Sequence, residues 1–200
     1  SRTQILELLG RESISDVRSH AKALWNANYC ADGAVTSILA SSLWLNEGTA
    51  YVQKTLDTLA QNYYASAFSG KMGSDAYNKA LQDWLNEQTG GLLKEQASGL
   101  SFDPETVLAL AATIYYRAKW SNEFSKSRTS EGMFHAPSGD LTCDFMHSSG
   151  TGTYYWGERF GAVNRSLRES GCMKLLLPDE GVRAEELLQD DEAMRFLLGG

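Results

Sequence analysis

The chain has 200 residues, of which 42% are hydrophobic and 22% charged, with a net charge of −7. That balance supports a packed core and excludes global disorder, and no apolar run reaches the roughly 18 residues of a bilayer span. An acidic chain without clustered Lys or Arg repels a phosphate backbone, so neither a nucleic acid nor a membrane is expected as a partner. Cys30, Cys143 and Cys172 lie far apart with no Cys-x-x-Cys spacing, so no zinc site and no disulfide framework is expected, and the odd count leaves at least one thiol unpaired.

In chain order, Ile5-Leu6-Glu7-Leu8-Leu9 is a helical pattern stopped by Gly10. Ser13 to Ala27 reads as a helix. Ser13 and Asp16 resemble a capping box, and Ile14, Val17, Ala21, Leu24 and Trp25 recur at helical spacing. Ala34 to Leu45 reads as a strand that ends at the turn Asn46-Glu47-Gly48. Val52, Thr55, Leu56, Leu59 and Tyr63 mark an amphipathic helix. The clearest helix runs from Ser74 to Gln88, with Tyr77, Ala80, Leu81, Trp84, Leu85 and Gln88 on one stripe and Gly90-Gly91 as its stop.

Thr106 to Trp120 is apolar almost throughout. Its Ala and Leu favour helix, whereas Ile114-Tyr115-Tyr116 and the lack of a polar face before Arg117 favour a strand covered on both faces. Beyond residue 130 the pattern is short and β-like: Thr129–Phe134, Leu141–Met146, Thr153–Trp156, Ala162–Leu167 and Cys172–Leu177, separated by turn residues. Pro178-Asp179-Glu180-Gly181 is a turn, and Arg183 to Leu198 reads as one or two short helices. With no repeat and no linker, residues 1–200 are expected to form one domain or part of one.

Little in the chain suggests catalysis. There is no Gly-x-Ser-x-Gly elbow, no P-loop and no Gly-x-Gly-x-x-Gly after a strand. His20 lies beside Arg18 and Lys22 on a helix, and His135 and His147 read as surface strand or turn positions. The carboxylates Glu185-Glu186 and Asp190-Asp191-Glu192 are adjacent, so on a helix they point apart. Asn164-Arg165-Ser166 matches a glycosylation sequon. No catalytic residue, metal or cofactor is expected, and the chain is not read as an enzyme.

Taken in order, the segments resemble the serpin superfamily over essentially the whole chain. Ile5–Gly10 resembles the family's third helix. Leu43-Trp44-Leu45 is similar to the end of a strand of its large sheet A. Trp84, Thr89 and Gly91 are similar to the helix that crosses the front of that sheet. Thr113 to Trp120 resembles the upper half of its third strand, which makes the ambiguous run a strand, and Trp120 matches the tryptophan of the region called the breach. Phe124, Thr129, Phe134, Gly139 and Met146 follow the family's spacing into sheet C, and Met173 to Pro178 with Asp179-Glu180-Gly181 resembles a strand of sheet B and its exit turn.

The resemblance implies an α+β partial serpin fold, with helices packed on a large sheet A and with parts of sheets B and C. It also implies inhibition of serine or cysteine proteases by a mechanical trap: the target cleaves a reactive loop, which inserts as a new strand into sheet A beside the third strand. In the family that loop lies past the region matched by Leu198, and two helices precede the region matched by Ile5. The chain is therefore expected to be an excised piece of a longer protein, non-inhibitory alone and prone to self-association through exposed sheet edges. The alternative implied is a non-inhibitory serpin-like chaperone or hormone carrier, and small residues in the loop's hinge would mark the inhibitory kind. The target protease is the expected partner of the full-length protein, and secretion is its expected fate. Departures from the family occur in the shutter, where Ala112 and Ser41 stand in place of the usual Asn, and at Ala118 in place of Gly.

Overall fold

A computed structural model describes residues 1–31, 33–149, 152–169 and 171–199; Gly200 lies outside the described residues. The chain divides into two compact units, Ser1–Arg117 and Ala118–Gly200.

The first unit carries α1 (Arg2–Leu8), α2 (Ile14–Asn28), β1 (Val35–Asn46), α3 (Gln53–Tyr63), β2 (Ala65–Gly70), α4 (Asp75–Gln88), α5 (Lys94–Ala97) and β3 (Leu108–Ala118). The side chain of Ser13 accepts the Asp16 N–H at 3.1 Å and Ser74 accepts the Tyr77 N–H at 3.4 Å, so both helix starts are capped where the sequence places them. The strands form one sheet in the order β2-β1-β3. β1 and β2 are parallel, from Ser41 opposite Ala65 to Asn46 opposite Gly70. β3 runs antiparallel to β1. The Asn46 N–H donates to Val107 O at 3.0 Å, the Ser42 hydroxyl to Ala111 O at 3.4 Å, and Arg117 to the Thr36 hydroxyl at 3.3 Å.

One face of this sheet is covered. Trp44, fully buried, packs with Met72, Tyr77, Leu81, Trp84, Leu85, Ala97 and Phe102, and Ala40, Phe68, Ala109 and Ala111 close the cluster. The opposite side of β3 is open: Leu108, Leu110, Ile114 and Tyr116 are exposed, Leu110 at 76% and Ile114 at 80%. This corrects the expectation of a strand covered on both faces. The run is apolar throughout, but only its odd-numbered residues meet the helical layer, because side chains alternate along a strand. On α4, Tyr77, Leu81, Trp84 and Leu85 are buried as the stripe predicts, while Ala80 is exposed.

The second unit holds a 3-10 turn at Lys126–Arg128, then β4 (Thr129–Ala136), β5 (Gly139–Met146), β6 (Tyr154–Trp156), β7 (Phe160–Ser166), β8 (Cys172–Pro178), α6 (Ala184–Leu187) and α7 (Asp191–Leu198). β4 and β5 form an antiparallel hairpin, from Thr129 opposite Met146 to Ala136 opposite Gly139. β6, β7 and β8 form an antiparallel sheet in that order. Phe160, Ala162, Leu187 and Ala193 make its core, with Leu176, Val182 and Phe196 packed on them. Asp190 caps α7 by accepting the Glu192 and Ala193 N–H groups at 3.0 and 2.9 Å.

At the other end of α7 the Lys174 ammonium donates to Phe196 O and, at 3.2 Å, to Leu197 O, placing a cation on the carbonyls of the last turn. Tyr155 donates to Glu192 Oε1 at 2.8 Å, and that bond to an anion raises its pKa. Glu186 accepts from Arg159 at 2.5 Å and from Arg183 at 3.2 Å, and the two guanidinium groups hold its carboxyl below the usual range.

Candidate functional site

The site built by the first unit is the contact between α4 and the covered face of β1 and β3. Trp84 stands edge-on to Trp44, with ring centroids 6.4 Å apart and planes at 80°. Trp44 also stacks on Phe68 at 4.2 Å and meets Tyr77 edge-on at 5.3 Å. Its indole N–H, out of reach of water, donates to the Ser42 hydroxyl at 2.8 Å, and the Ser42 hydroxyl in turn donates to Ala111 O at 3.4 Å. The Tyr77 hydroxyl donates to Leu45 O at 3.0 Å; burial raises its pKa and the backbone bond works against that rise. Helix and sheet are thus joined by aromatic rings, with the Trp44 indole N–H and the Tyr77 hydroxyl both donating to partners on β1.

The helix ends against β3. Thr89, buried, donates its hydroxyl to Leu85 O at 2.7 Å, one turn back. Gly90 then takes φ +59° and Gly91 φ +86°, the left-handed values that stop a helix. The two glycines differ in their surroundings. A Cβ at Gly90 would sit 2.7 Å from Tyr115 Cζ, whereas one at Gly91 would meet nothing within 4 Å. The sequence marks Gly90 and Gly91 together as the helix stop and points to Gly91 as the site residue; the residues it does not point to are Tyr115 and Ser42. The signal for Tyr115 was its odd number on β3, in step with the covered Ala109 and Ala111.

Ser41 and Ala112 are both exposed, and the β1–β3 hydrogen bonds set them opposite each other on the open side of the sheet. The structure therefore brings the two residues together, while the buried hydroxyl of β1 belongs to Ser42. Thr113 Oγ1 and Asn86 Oδ1 are buried and find no hydrogen-bond partner among the described residues.

Trp120 belongs to the second unit and is half-buried. It bridges to Leu167 and meets Phe124 edge-on at 6.0 Å. His135 contacts Asp140 at 2.7 Å and His147 contacts Ser130 at 3.1 Å, both pairs on the exposed hairpin. All three cysteines are exposed and no disulfide joins them. Among the described residues no group of three His, Cys, Asp or Glu side chains could hold a metal ion, and no helix is long and apolar enough to cross a membrane.

This architecture has relatives. An uncharacterized serpin-like protein of Thermococcus kodakarensis is 31% identical over 146 residues, covering 70% of this chain and 33% of its own length. Alpha-1-antitrypsin 1-3 of Mus musculus is 29% identical over 206 residues, covering 98% of this chain and 50% of its own. Arabidopsis AtSerpin1, solved in its native stressed conformation, shares the fold with a TM-score of 0.79 at 24% identity, over 94% of this chain and 51% of that one. The chain thus spans a third to a half of the length of the curated relatives compared. The family model for serpins, serine protease inhibitors, matches residues 1–196. With that match over nearly its whole length and this α+β fold, the chain belongs to the serpin family.

Proposed function

We propose that these 200 residues are the receiving half of a serpin that traps serine or cysteine proteases by inserting its cleaved reactive loop into the sheet β2-β1-β3, the counterpart of sheet A. The observation that carries the reading is the order of that sheet. β3 is a terminal strand in the described residues, antiparallel to β1, with α4 laid along one face. A strand added beside β3 would gain ladder hydrogen bonds and bury alternate side chains. Ser41 and Ala112 occupy the shutter positions in this reading and Trp120 the breach. Ala112 offers no amide there, so fewer hydrogen bonds resist opening of the sheet. The helix bearing Trp84, Thr89 and Gly91 is the element that must yield as the strand enters.

The partner of the full-length protein is then its target protease, and the protein is secreted, as antitrypsin-like inhibitors are. The complete protein, incubated with serine and cysteine proteases, is expected to give a complex stable in SDS, and the 200-residue chain alone none. Failure of the complete, folded protein to form a covalent complex with any protease tried would overturn the inhibitory reading.

The open side of β3 carries a second consequence. Leu108, Leu110, Ile114 and Tyr116 form an exposed apolar strip next to a strand edge that no other strand pairs among the described residues, a combination that favours association. The 200-residue chain is expected to be a dimer or larger by multi-angle light scattering at raised concentration. A clean monomer under those conditions would refute this.

A further inference from the structure

Where the chain leaves β3 it is stitched to the end of β7 and the residues that follow it. The Ser121 N–H donates to Ser166 O at 3.0 Å and the Arg168 N–H to Lys119 O at 2.7 Å, flanking the bridge between Trp120 and Leu167. Two backbone bonds at a chain margin make a short ladder that opens readily by itself.

Side chains reinforce it. The Arg165 guanidinium carbon lies 4.6 Å from the Phe124 ring centroid and 5.9 Å from that of Trp120. The two rings meet at 85°, so one cation serves both. The same guanidinium donates to Asn122 O at 3.3 Å and to the Ser148 hydroxyl at 3.4 Å. Arg168 adds an ion pair with Glu123 at 3.4 Å, exposed on both sides.

We propose that Arg165 is a latch: it fixes the path of residues 119–124 and is the positioning residue for Trp120. The chemistry is particular to arginine. A weakly hydrated guanidinium with its forked donors can sit within cation–π reach of two aromatic rings while separate N–H groups reach a carbonyl and a hydroxyl. Lysine has the charge but one point of attachment and no planar surface. Glu123 pairs with Arg168 in an exposed contact, which contributes little, so the load falls on Arg165. The inference concerns this chain's own geometry and holds or fails independently of protease trapping.

The test is hydrogen exchange, followed by NMR, on the 200-residue chain. In Arg165→Met, which keeps the length and apolar bulk of the stem, the Ser121 and Arg168 amides are expected to exchange at least tenfold faster. Amides of the β7–β8 ladder around Val163 and Leu175 should keep their protection. Unchanged exchange at Ser121 and Arg168 overturns the latch. Should Arg165→Met lose the ladder protection as well, Arg165→Lys decides. Faster exchange at Ser121 with the ladder intact supports the planar contact, and wild-type exchange there overturns it.

Discussion

Replacing Trp44 by Ala is expected to destabilise the first unit by about 3–5 kcal/mol, the range for truncating a buried Phe or Trp. Trp44 is fully buried and touches aromatic rings from β2, α4 and the segment before β3: Phe68, Tyr77, Trp84 and Phe102. Four separately placed rings cannot all close on the vacated space, so the cavity is expected to persist. The Ser42 hydroxyl would also lose the indole proton that it accepts. Trp44→Phe separates the two terms. It keeps most of the ring volume and removes the hydrogen bond, for an expected cost of about 1–3 kcal/mol, the Ser42 oxygen losing the proton that it accepts while its own O–H still donates to Ala111 O. Chemical denaturation followed by far-UV circular dichroism, with the early transition assigned by exchange of β1 amides, gives both values. A loss below about 1 kcal/mol for Trp44→Ala would mean that the ring cluster is not the keystone of this unit.

The legibility of the sequence varied with the physical signal each element carries. α4 was readable because Tyr77, Leu81, Trp84 and Leu85 recur at helical spacing over little more than two turns, with Ser74 and Gly90 marking its ends. The strands after residue 130 were readable because short apolar runs alternate with turn residues, and each prediction lies within a few residues of its strand. β2 escaped notice, since Ala65-Ser66-Ala67-Phe68-Ser69-Gly70 carries one large apolar side chain and its strand character comes from pairing with β1. α5, four residues long, has no period to read.

The misreading of β3 has a different cause. A sequence reports the hydrophobicity of each residue but not which neighbour covers it, so Leu110 and Ile114 looked as buried as Tyr115 does. The candidate site was legible in its helix, through resemblance and spacing. Ser42, Tyr115 and the seating of Gly90 on that ring were not, because a hydroxyl, a ring and a glycine's close contact gain meaning only from the atoms that lie against them. Ser42 and Ser41 are neighbours of identical chemistry, and the pleat alone decides that one is buried and the other exposed.

The pair Gly90 and Gly91 turns that last point into a measurement. Gly90→Ala meets two penalties. The left-handed backbone at φ +59° costs a residue with a Cβ about 1–2 kcal/mol, and the methyl would fall 2.7 Å from the buried Tyr115 ring, an overpacking that costs about 1–3 kcal/mol. The expected loss is therefore about 2–5 kcal/mol. Gly91→Ala meets only the first, because its Cβ would point into open space, for about 1–2 kcal/mol. Equal losses at the two sites would show that Tyr115 yields and that the helix end is not seated on β3. The decisive experiment is a double-mutant cycle with Tyr115→Leu, which removes the far ring atoms. The smaller side chain is expected to relieve the steric part of the Gly90→Ala loss while leaving the Gly91→Ala loss unchanged. That asymmetry arises only if the C-terminus of α4 is held against Tyr115. A helix so held can leave the sheet only by lifting Gly90 off that ring, so relief at Gly90 and none at Gly91 locates the point where α4 would have to release under the proposed strand insertion.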